Sequence, residues 1–353
     1  LKKIAVAMSG GVDSSVAALL LKRAGYDVVG ITMRLFSCSR IRCGSCCSEQ
    51  DRLDARRVCT HLGIPHKTVD LSEAFKSRVI EPFVDSYLRG ETPSPCILCN
   101  EYLKFAALID ESCKLGVDAV ATGHYARITT DSDGRSHLLR GLDHDKDQSY
   151  FLFPAVGGAL GHLAFPVGDL TKTEVRALAS ESELPVHEKA ESQEICFVPD
   201  NDYAAFIECE RPDALRGSGA IVDTSGKELG RHRGIHAYTI GQRRGLGIGF
   251  GERKYVVKID AERNEVVLGD DADLARGEMT VRDVVWACET ELPMQAGVQI
   301  RSTRKAKPAR IEDADFGTVR VVFDEAQRAI ASGQAAVFYD GDEVVGGGWI
   351  AND

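Results

Sequence analysis

No stretch of the 353-residue sequence comes near the roughly 18 uninterrupted apolar residues that a membrane helix requires. The N-terminus, Leu1-Lys2-Lys3 followed by a short apolar run that stops at Ser9, offers no signal peptide with a small-residue cleavage site. Both absences point to a cytoplasmic protein. Eleven cysteines are too sparse for a disulfide-built scaffold, and without an export signal they are expected mostly as thiols. There is no internal repeat, no low-complexity tract and no basic excess: 43 Lys and Arg stand against 53 Asp and Glu, a net charge of -10. That balance excludes a general polyanion binder, so any nucleic-acid surface has to be local. What is present, 44% hydrophobic and 27% charged residues, is the make-up of an ordinary globular chain, and the length suggests two or three domains.

The first two hundred residues alternate short apolar runs with amphipathic stretches. Ile4 to Met8, Val28 to Met33, His66 to Asp70 and Val117 to Thr122 read as strands buried on both faces. Helical patterns separate them at Ser14 to Ala24, Ser48 to Leu62, Ser72 to Leu88 and Asn100 to Leu115. Ser48 with Asp51, and Thr171 with Glu174 ahead of a run ending near Ser182, resemble capping boxes. This βαβ succession predicts an α/β domain with a doubly wound, mainly parallel sheet and a site at the carboxyl ends of its strands. After about Phe206 short alternating runs take over: Tyr255 to Ile259, Glu265 to Leu268, Thr318 to Phe323, Ala335 to Tyr339 and Val344 to Trp349. A break near Gly277 divides this part into two small β-rich domains, the last barrel-like, so the expected division is 1–205, 206–276 and 277–353.

Ala7-Met8-Ser9-Gly10-Gly11-Val12-Asp13-Ser14-Ser15 stands directly between the first strand and the first helix. Two glycines let backbone amides approach a phosphate, the serines add hydroxyl donors, and a helix N-terminus adds its positive dipole end. The segment lacks the Gly-Lys-Ser/Thr ending of a Walker A loop and resembles the PP-loop of the ATP pyrophosphatases. That resemblance implies cleavage of ATP between the α and β phosphates and adenylation of a substrate oxygen. The bland alternative is a turn that is merely rich in Ser and Gly. A second segment, Thr92-Pro93-Ser94-Pro95-Cys96-Ile97-Leu98-Cys99-Asn100, is stiffened by two prolines and sets Cys99 near an expected helix N-terminus, where the dipole favours thiolate. Cys196 follows in Ser192-Gln193-Glu194-Ile195-Cys196-Phe197. Alone, each cysteine reads more readily as apolar filler; the phosphate loop upstream shifts that balance.

Ser9-Gly10-Gly11-Val12-Asp13-Ser14, Pro95-x-x-x-Cys99-Asn100, Ala121-Thr122-Gly123-His124-Tyr125, Lys146-Asp147-Gln148-Ser149-Tyr150, the Cys196 segment and Gly333-Gln334-Ala335-Ala336-Val337-Phe338-Tyr339 occur in that order along the chain. Together they resemble the tRNA-specific 2-thiouridylase family. The resemblance implies an adenine nucleotide alpha hydrolase-like PP-loop domain, ATP and Mg²⁺ as cofactors, and tRNA-uridine 2-sulfurtransferase activity. It implies tRNA as a partner, with a sulfur donor protein or sulfide as another. By it Ala7, Met8, Ser9, Gly10, Gly11, Val12, Asp13, Ser14, Met33 and Gly123 bind ATP, Cys99 is the nucleophile and Cys196 carries a persulfide. Lys146, Asp147 and Gln148 match a tRNA-contacting stretch, Ser302 and Thr303 match further tRNA contacts, and His124 and Gln334 match positions near the target base. The implied chemistry is coherent: the 2-oxygen of a wobble uridine is a poor leaving group until adenylated, and sulfur then displaces AMP. Seven Lys/Arg against Glu252 alone between Arg231 and Lys258, and five against none from Arg301 to Arg310, are candidate phosphate-gripping runs, with an ordinary solvated face as the alternative for each.

Two departures stand out. The family often carries Asp three residues before the nucleophilic cysteine, where this chain has Cys96. Cys96, Cys99 and Cys196 are therefore also candidate ligands of a [4Fe-4S] cluster with one open iron, and relay and cluster stay open at this point; zinc is the less favoured metal, since it wants a fourth ligand. The second departure is Cys38-x4-Cys43-x2-Cys46-Cys47, read by default as a mobile loop over ATP with incidental thiols, with a metal knot or a sulfur-receiving flap as alternatives. Arg301-Ser302-Thr303-Arg304 stands where the family commonly shows Arg-Tyr-Arg. The rival functions are another PP-loop adenylating tRNA-modifying enzyme, which has no use for the pair at 99 and 196, and a non-catalytic thiol-rich RNA-binding protein, which has no use for the glycine loop.

Overall fold

Ile4 to Ala7 are buried one after another because the strand they form has neighbours on both edges and helices on both faces. The computed structural model describes residues 2–36, 49–191, 195–246 and 253–352; Ser48, Cys38, Cys43, Cys46, Cys47 and Ser192 to Glu194 lie outside them. Chain order begins β1 (Lys3–Ala7), α1 (Val12–Arg23), β2 (Asp27–Arg34), α2 (Glu49–Leu62) and β3 (His66–Asp70). Two helical runs follow, and each contains a π-helical stretch. The first joins α3 (Ser72–Phe75) to α4 (Glu81–Leu88) through Lys76–Ile80, the second α5 (Pro95–Leu98) to α6 (Leu108–Cys113) through Cys99–Ala107. With β4 (Ala119–Ala121) and, further on, β7 (Leu163–Ala164), the strands form a parallel five-stranded sheet in the order β3-β2-β1-β4-β7. The expected doubly wound parallel sheet is present, and α7 (Lys172–Glu181) starts at the expected capping box of Thr171 and Glu174.

The hairpin β5 (Ala126–Thr130) and β6 (Ser136–Arg140) departs from the sequence reading. It leaves the parallel sheet and pairs, through Leu139 opposite Glu343, with the last strand of the chain. Beyond α8 (Tyr203–Glu210), strands β8 (Gly219–Asp223), β9 (Glu228–His232), β10 (Tyr255–Asp260) and β11 (Glu265–Gly269) form a sheet in the order β10-β11-β8-β9. Strands β12 (Ala275–Trp286), β13 (Met294–Gln299), β14 (Lys307–Asp313), β15 (Val319–Arg328), β16 (Ala335–Asp340) and β17 (Glu343–Ile350) run in the order β12-β15-β14-β13-β16-β17, and the β12–β17 pairing closes them into a barrel. Gly277, expected at a break, lies inside β12, where the register against β15 slips between Arg276 and Glu278. A glycine at a bulge carries the same local signature as one in a linker.

The barrel shares a core with the sheet domain. Ala5, Val120, Leu152 and Phe153 belong to one buried cluster with Val337, Tyr339 and Val344. Arg140 reinforces the joint: its guanidinium pairs with Asp147 at 2.8 Å, reaches Gln299 at 3.1 Å and lies 3.6 Å over the Tyr339 ring. Among the described residues no helix is long and apolar enough to cross a membrane.

Candidate active site

The loop from Ser9 to Ser15 is ordered by its own hydroxyls. Ser9 and Ser14 bring their Oγ atoms to 3.1 Å, and Ser14 and Ser15 both donate to the carbonyl of Gly11, at 3.2 and 2.7 Å. Gly10 has φ +76°, and a Cβ on it would stand 2.2 Å from the Asp51 carbonyl oxygen, so the first turn of α2 packs directly on the loop. Gly123 is small for a related reason: a Cβ there would come within 2.5 Å of the Ser14 nitrogen. The end of β4 is thereby held against the N-terminus of α1. Around the loop runs an ionic frame. Asp13 accepts from Lys172 at 2.7 Å and from the Tyr125 hydroxyl at 2.9 Å, and Glu191 binds Lys172 at 3.0 Å and Lys146 at 2.8 Å. Those contacts, the Lys146 hydrogen bond first, hold the Glu191 carboxyl down at about 2.

The loop opens into a cavity of 330 Å³ at the carboxyl end of the parallel sheet, within the size of a small-molecule site. Ala7, Met8, Ser9, Asp13, Ser14, Met33 and Gly123 line it on the loop side; Cys96, Cys99 and Cys196 line it on the other. His124 and Gln148 stand in its wall as well. Candidates that lie about a hundred residues apart in sequence thus share one chamber. Of the remaining loop residues, Gly10 and Gly11 form the turn and Val12 is buried behind it in α1.

The cysteine side differs from expectation in one respect. The helix begins at Pro95, which suits its first position, so Cys96 rather than Cys99 occupies the first turn where the dipole acts. Cys99 instead opens the π-helical stretch, a feature frequent at functional sites. Next to it Asn100 donates Nδ2 to the Phe151 carbonyl at 2.9 Å, leaving a buried Oδ1 without a partner among the described residues. Although Cys96, Cys99 and Cys196 share the cavity, no group of three His, Cys, Asp or Glu able to hold a metal ion occurs among the described residues.

The other candidate residues lie outside the chamber. Asp147 is spent on structure, accepting from Arg140, Gly141 and Ser149. Lys146 faces Glu191. Gln334 donates to the Thr92 carbonyl at 2.9 Å, tying the barrel to the segment that precedes Cys96. Ser302 and Thr303 are exposed between β13 and β14. In the basic runs Arg301 is no free phosphate grip, since its guanidinium caps the carbonyls of Ile240 and Ala329 at 3.3 and 2.9 Å. Sequence reasoning missed Lys104 and Arg52, both in the cavity wall, and Lys172 and Lys189 beside the loop. A lysine or arginine on a helical pattern carries the signature of a solvated face, so no local signal marks them.

A glycine-serine loop that caps a helix at the carboxyl edge of a parallel sheet, without a Walker lysine, defines an α/β domain of the PP-loop class. Family comparison agrees with that class: residues 2–200 match the tRNA methyl transferase HUP domain, 205–270 the tRNA methyl transferase PRC-barrel domain and 276–350 the aminomethyltransferase beta-barrel domain. The chain belongs to the tRNA-specific 2-thiouridylase MnmA family. It is 49% identical over 98% of each chain to the MnmA protein of Solibacter usitatus, and 48% identical to that of Geobacter metallireducens, over 99% of this chain and 96% of the other. A solved 4-thiouridine synthetase–RNA complex with bound ATP aligns with TM-score 0.38 at 19% identity, covering 60% of this chain and 51% of that one.

Proposed function

We propose that this chain is an ATP-dependent tRNA-uridine 2-sulfurtransferase acting on the wobble uridine. The observation that carries the reading is the single cavity lined by the phosphate loop and by Cys99 and Cys196. ATP, with Mg²⁺ on its phosphates, binds over Ala7 to Ser14 with Met33 and Gly123 beside it. The uracil 2-oxygen attacks the α-phosphorus and pyrophosphate leaves. The terminal sulfur of a Cys196 persulfide, loaded when the Cys196 thiolate takes the outer sulfur of a donor protein's persulfide and leaves that donor as a thiol, attacks C2, and AMP departs with the oxygen. Cys99 thiolate then attacks the inner Cys196 sulfur, so the S–S bond breaks, the outer sulfur stays on the base, and a Cys99–Cys196 disulfide forms for later reduction by a thiol.

The tRNA is held by the two β-rich domains, taken as 206–276 and 277–353, with 1–205 as the catalytic domain. His124, Gln148 and Gln334 serve the target base, and Lys146, Asp147, Ser302 and Thr303 the surrounding RNA; for Asp147 that role is positional, through the fold it stabilises. A methyl-transfer reading, which the family-model descriptions would suggest, has no use for two cysteines facing a phosphate loop. The test is to measure AMP and pyrophosphate formation with and without tRNA, together with sulfur-for-oxygen exchange in the tRNA by mass spectrometry. Exchange that proceeds without ATP cleavage, or ATP cleavage that ignores tRNA, would reject the assignment.

A further inference from the structure

We propose that Lys104 is a further catalytic residue, whose ammonium holds the α-phosphate at the junction between nucleotide and base; this rests on the thiolation reading above. Two long-chain cations line the cavity among the described residues, Arg52 on α2 beside the phosphate loop and Lys104 on the helix that carries the cysteines. Lys104 lies on that wall within the π-helical stretch Cys99–Ala107, four residues after Asn100 and five after Cys99. Cys99, Asn100 and Lys104 face the cavity, whereas Leu103 and Phe105 are buried in two different apolar clusters.

Its charge is held but not neutralised. Lys146, Lys172 and Lys189 are each spent on carboxylates within 3 Å. No carboxylate pairs with Lys104 among the described residues; its partner is His124, with Nζ 3.2 Å from Nε2. An ammonium only donates, so Nε2 accepts and the ring proton sits on Nδ1, which donates to Thr122 Oγ1 at 2.6 Å. Burial, with Lys104 adding to it, keeps the imidazole well below its ordinary range, hence neutral. Thr122 and His124 therefore form a bracket that aims an ammonium with two N–H bonds still to give.

The bracket stands where the two halves of the reaction meet. His124 follows Gly123, which packs on the first residues of α1, and Lys104, whose ammonium meets His124, lies five residues after Cys99. The group that joins a nucleotide on the loop to a base beside the cysteine is the α-phosphate. When O2 attacks the α-phosphorus, the P–O bond to pyrophosphate breaks and its electron pair leaves with that group. When sulfur attacks C2, the C2–O bond breaks, its pair stays on oxygen, and AMP departs with one more negative charge. The Lys104 ammonium transfers no proton in either step and offsets charge that grows on the phosphate.

The test uses the full-length chain with tRNA in single turnover, following pyrophosphate release, AMP release and thiolation separately for Lys104→Met, Lys104→Arg and Lys104→Ala. The Met variant is expected to keep ATP and tRNA affinities within about threefold and to slow both pyrophosphate and AMP release by about 100-fold. Arg should retain most of the rate, and ethylammonium ions should partly restore Lys104→Ala. Normal pyrophosphate release with thiolation alone lost would overturn the proposal and assign the cation to the cysteines. Rates within threefold of wild type in Lys104→Met, or loss of folding stability without amine rescue, would overturn it as well. A wild-type protein that forms no AMP with tRNA would instead refute the thiolation reading.

Discussion

Lys189 donates to the carbonyl oxygen of Gly10 at 2.9 Å, and the same ammonium holds Asp51 at 2.6 Å and Asp54 at 2.8 Å. One cation thus ties the phosphate loop, the first turns of α2 and the segment leading to Cys196. Removing it leaves two carboxylates facing each other and a loop carbonyl without its donor. Lys189→Met should lose about 1–3 kcal/mol of stability and weaken ATP binding more than tRNA binding. Urea denaturation and separate titrations with ATP and tRNA check both halves of that expectation.

The two loop glycines should respond differently. Gly10→Ala needs φ +76° and places its Cβ 2.2 Å from a backbone oxygen, so the folded loop has no room for it. Gly11→Ala meets only the Ser9 hydroxyl at 3.4 Å and keeps an ordinary φ of -97°. It should fold with a loss of no more than about 1 kcal/mol, yet lose ATP turnover, because the methyl group occupies space a phosphate would use. Equal destabilisation in the two variants, read by thermal unfolding, would contradict this division.

How far the sequence spoke follows from where each signal lies. Strands β1, β2 and β4 were legible because Ile4 to Ala7, Val28 to Ile31 and Val120 to Ala121 are buried on nearly consecutive positions, whereas β3, expected to be buried on both faces, is the edge strand of the sheet and buries only Val69. Hairpin β5–β6 was not, since Thr129, Thr130, Ser136 and His137 make its exposed half polar and its partner Glu343 lies two hundred residues away. Long-range ion pairs are invisible for the same reason: nothing near Lys189 announces Gly10. The loop and the cysteines were legible as residue types in order, but their meeting in one cavity belongs to the fold.

Arg301 and its neighbours separate staple from grip. Arg301 caps carbonyls of Ile240 and Ala329, so Arg301→Met should lower stability and leave the salt dependence of tRNA binding nearly intact. Arg243, Arg244, Lys305 and Lys307 are exposed, and replacing them by Gln should reduce the log–log salt slope by about 0.7–0.9 for each phosphate that is no longer neutralised. Anisotropy titrations across a salt series measure this, and an unchanged slope would return those four side chains to plain solvated surface.

Glu191 makes the ionic frame acid-sensitive. Its carboxyl is held at about 2, against an ordinary value of 4.5, first by the Lys146 hydrogen bond and then by Lys172. A depressed carboxylate contributes its full stabilisation above the ordinary value and loses it as pH falls towards the folded one. The stability difference between wild type and Glu191→Gln should therefore be present at neutral pH and shrink between about pH 4.5 and pH 2. Denaturation midpoints at several pH values test the sign, and a difference that grows on acidification would contradict it.

Cys96 separates a persulfide relay from an iron-sulfur cluster. The relay needs two sulfurs, those of Cys99 and Cys196, whereas a cluster on this chain needs Cys96 as its third thiolate. The structure makes Cys96→Asp a clean test, because the residue is exposed in the first turn of α5, where a carboxylate is favoured by about 0.3–1 kcal/mol. Folding should survive the change, so a loss of activity cannot be blamed on misfolding. The expected outcome is an iron-free protein, purified anaerobically, whose Cys96→Asp variant thiolates at close to the wild-type rate while Cys99→Ser and Cys196→Ser do not. About four irons per chain, lost together with activity in Cys96→Asp, would establish the cluster instead, since a carboxylate holds an iron corner more weakly than a thiolate.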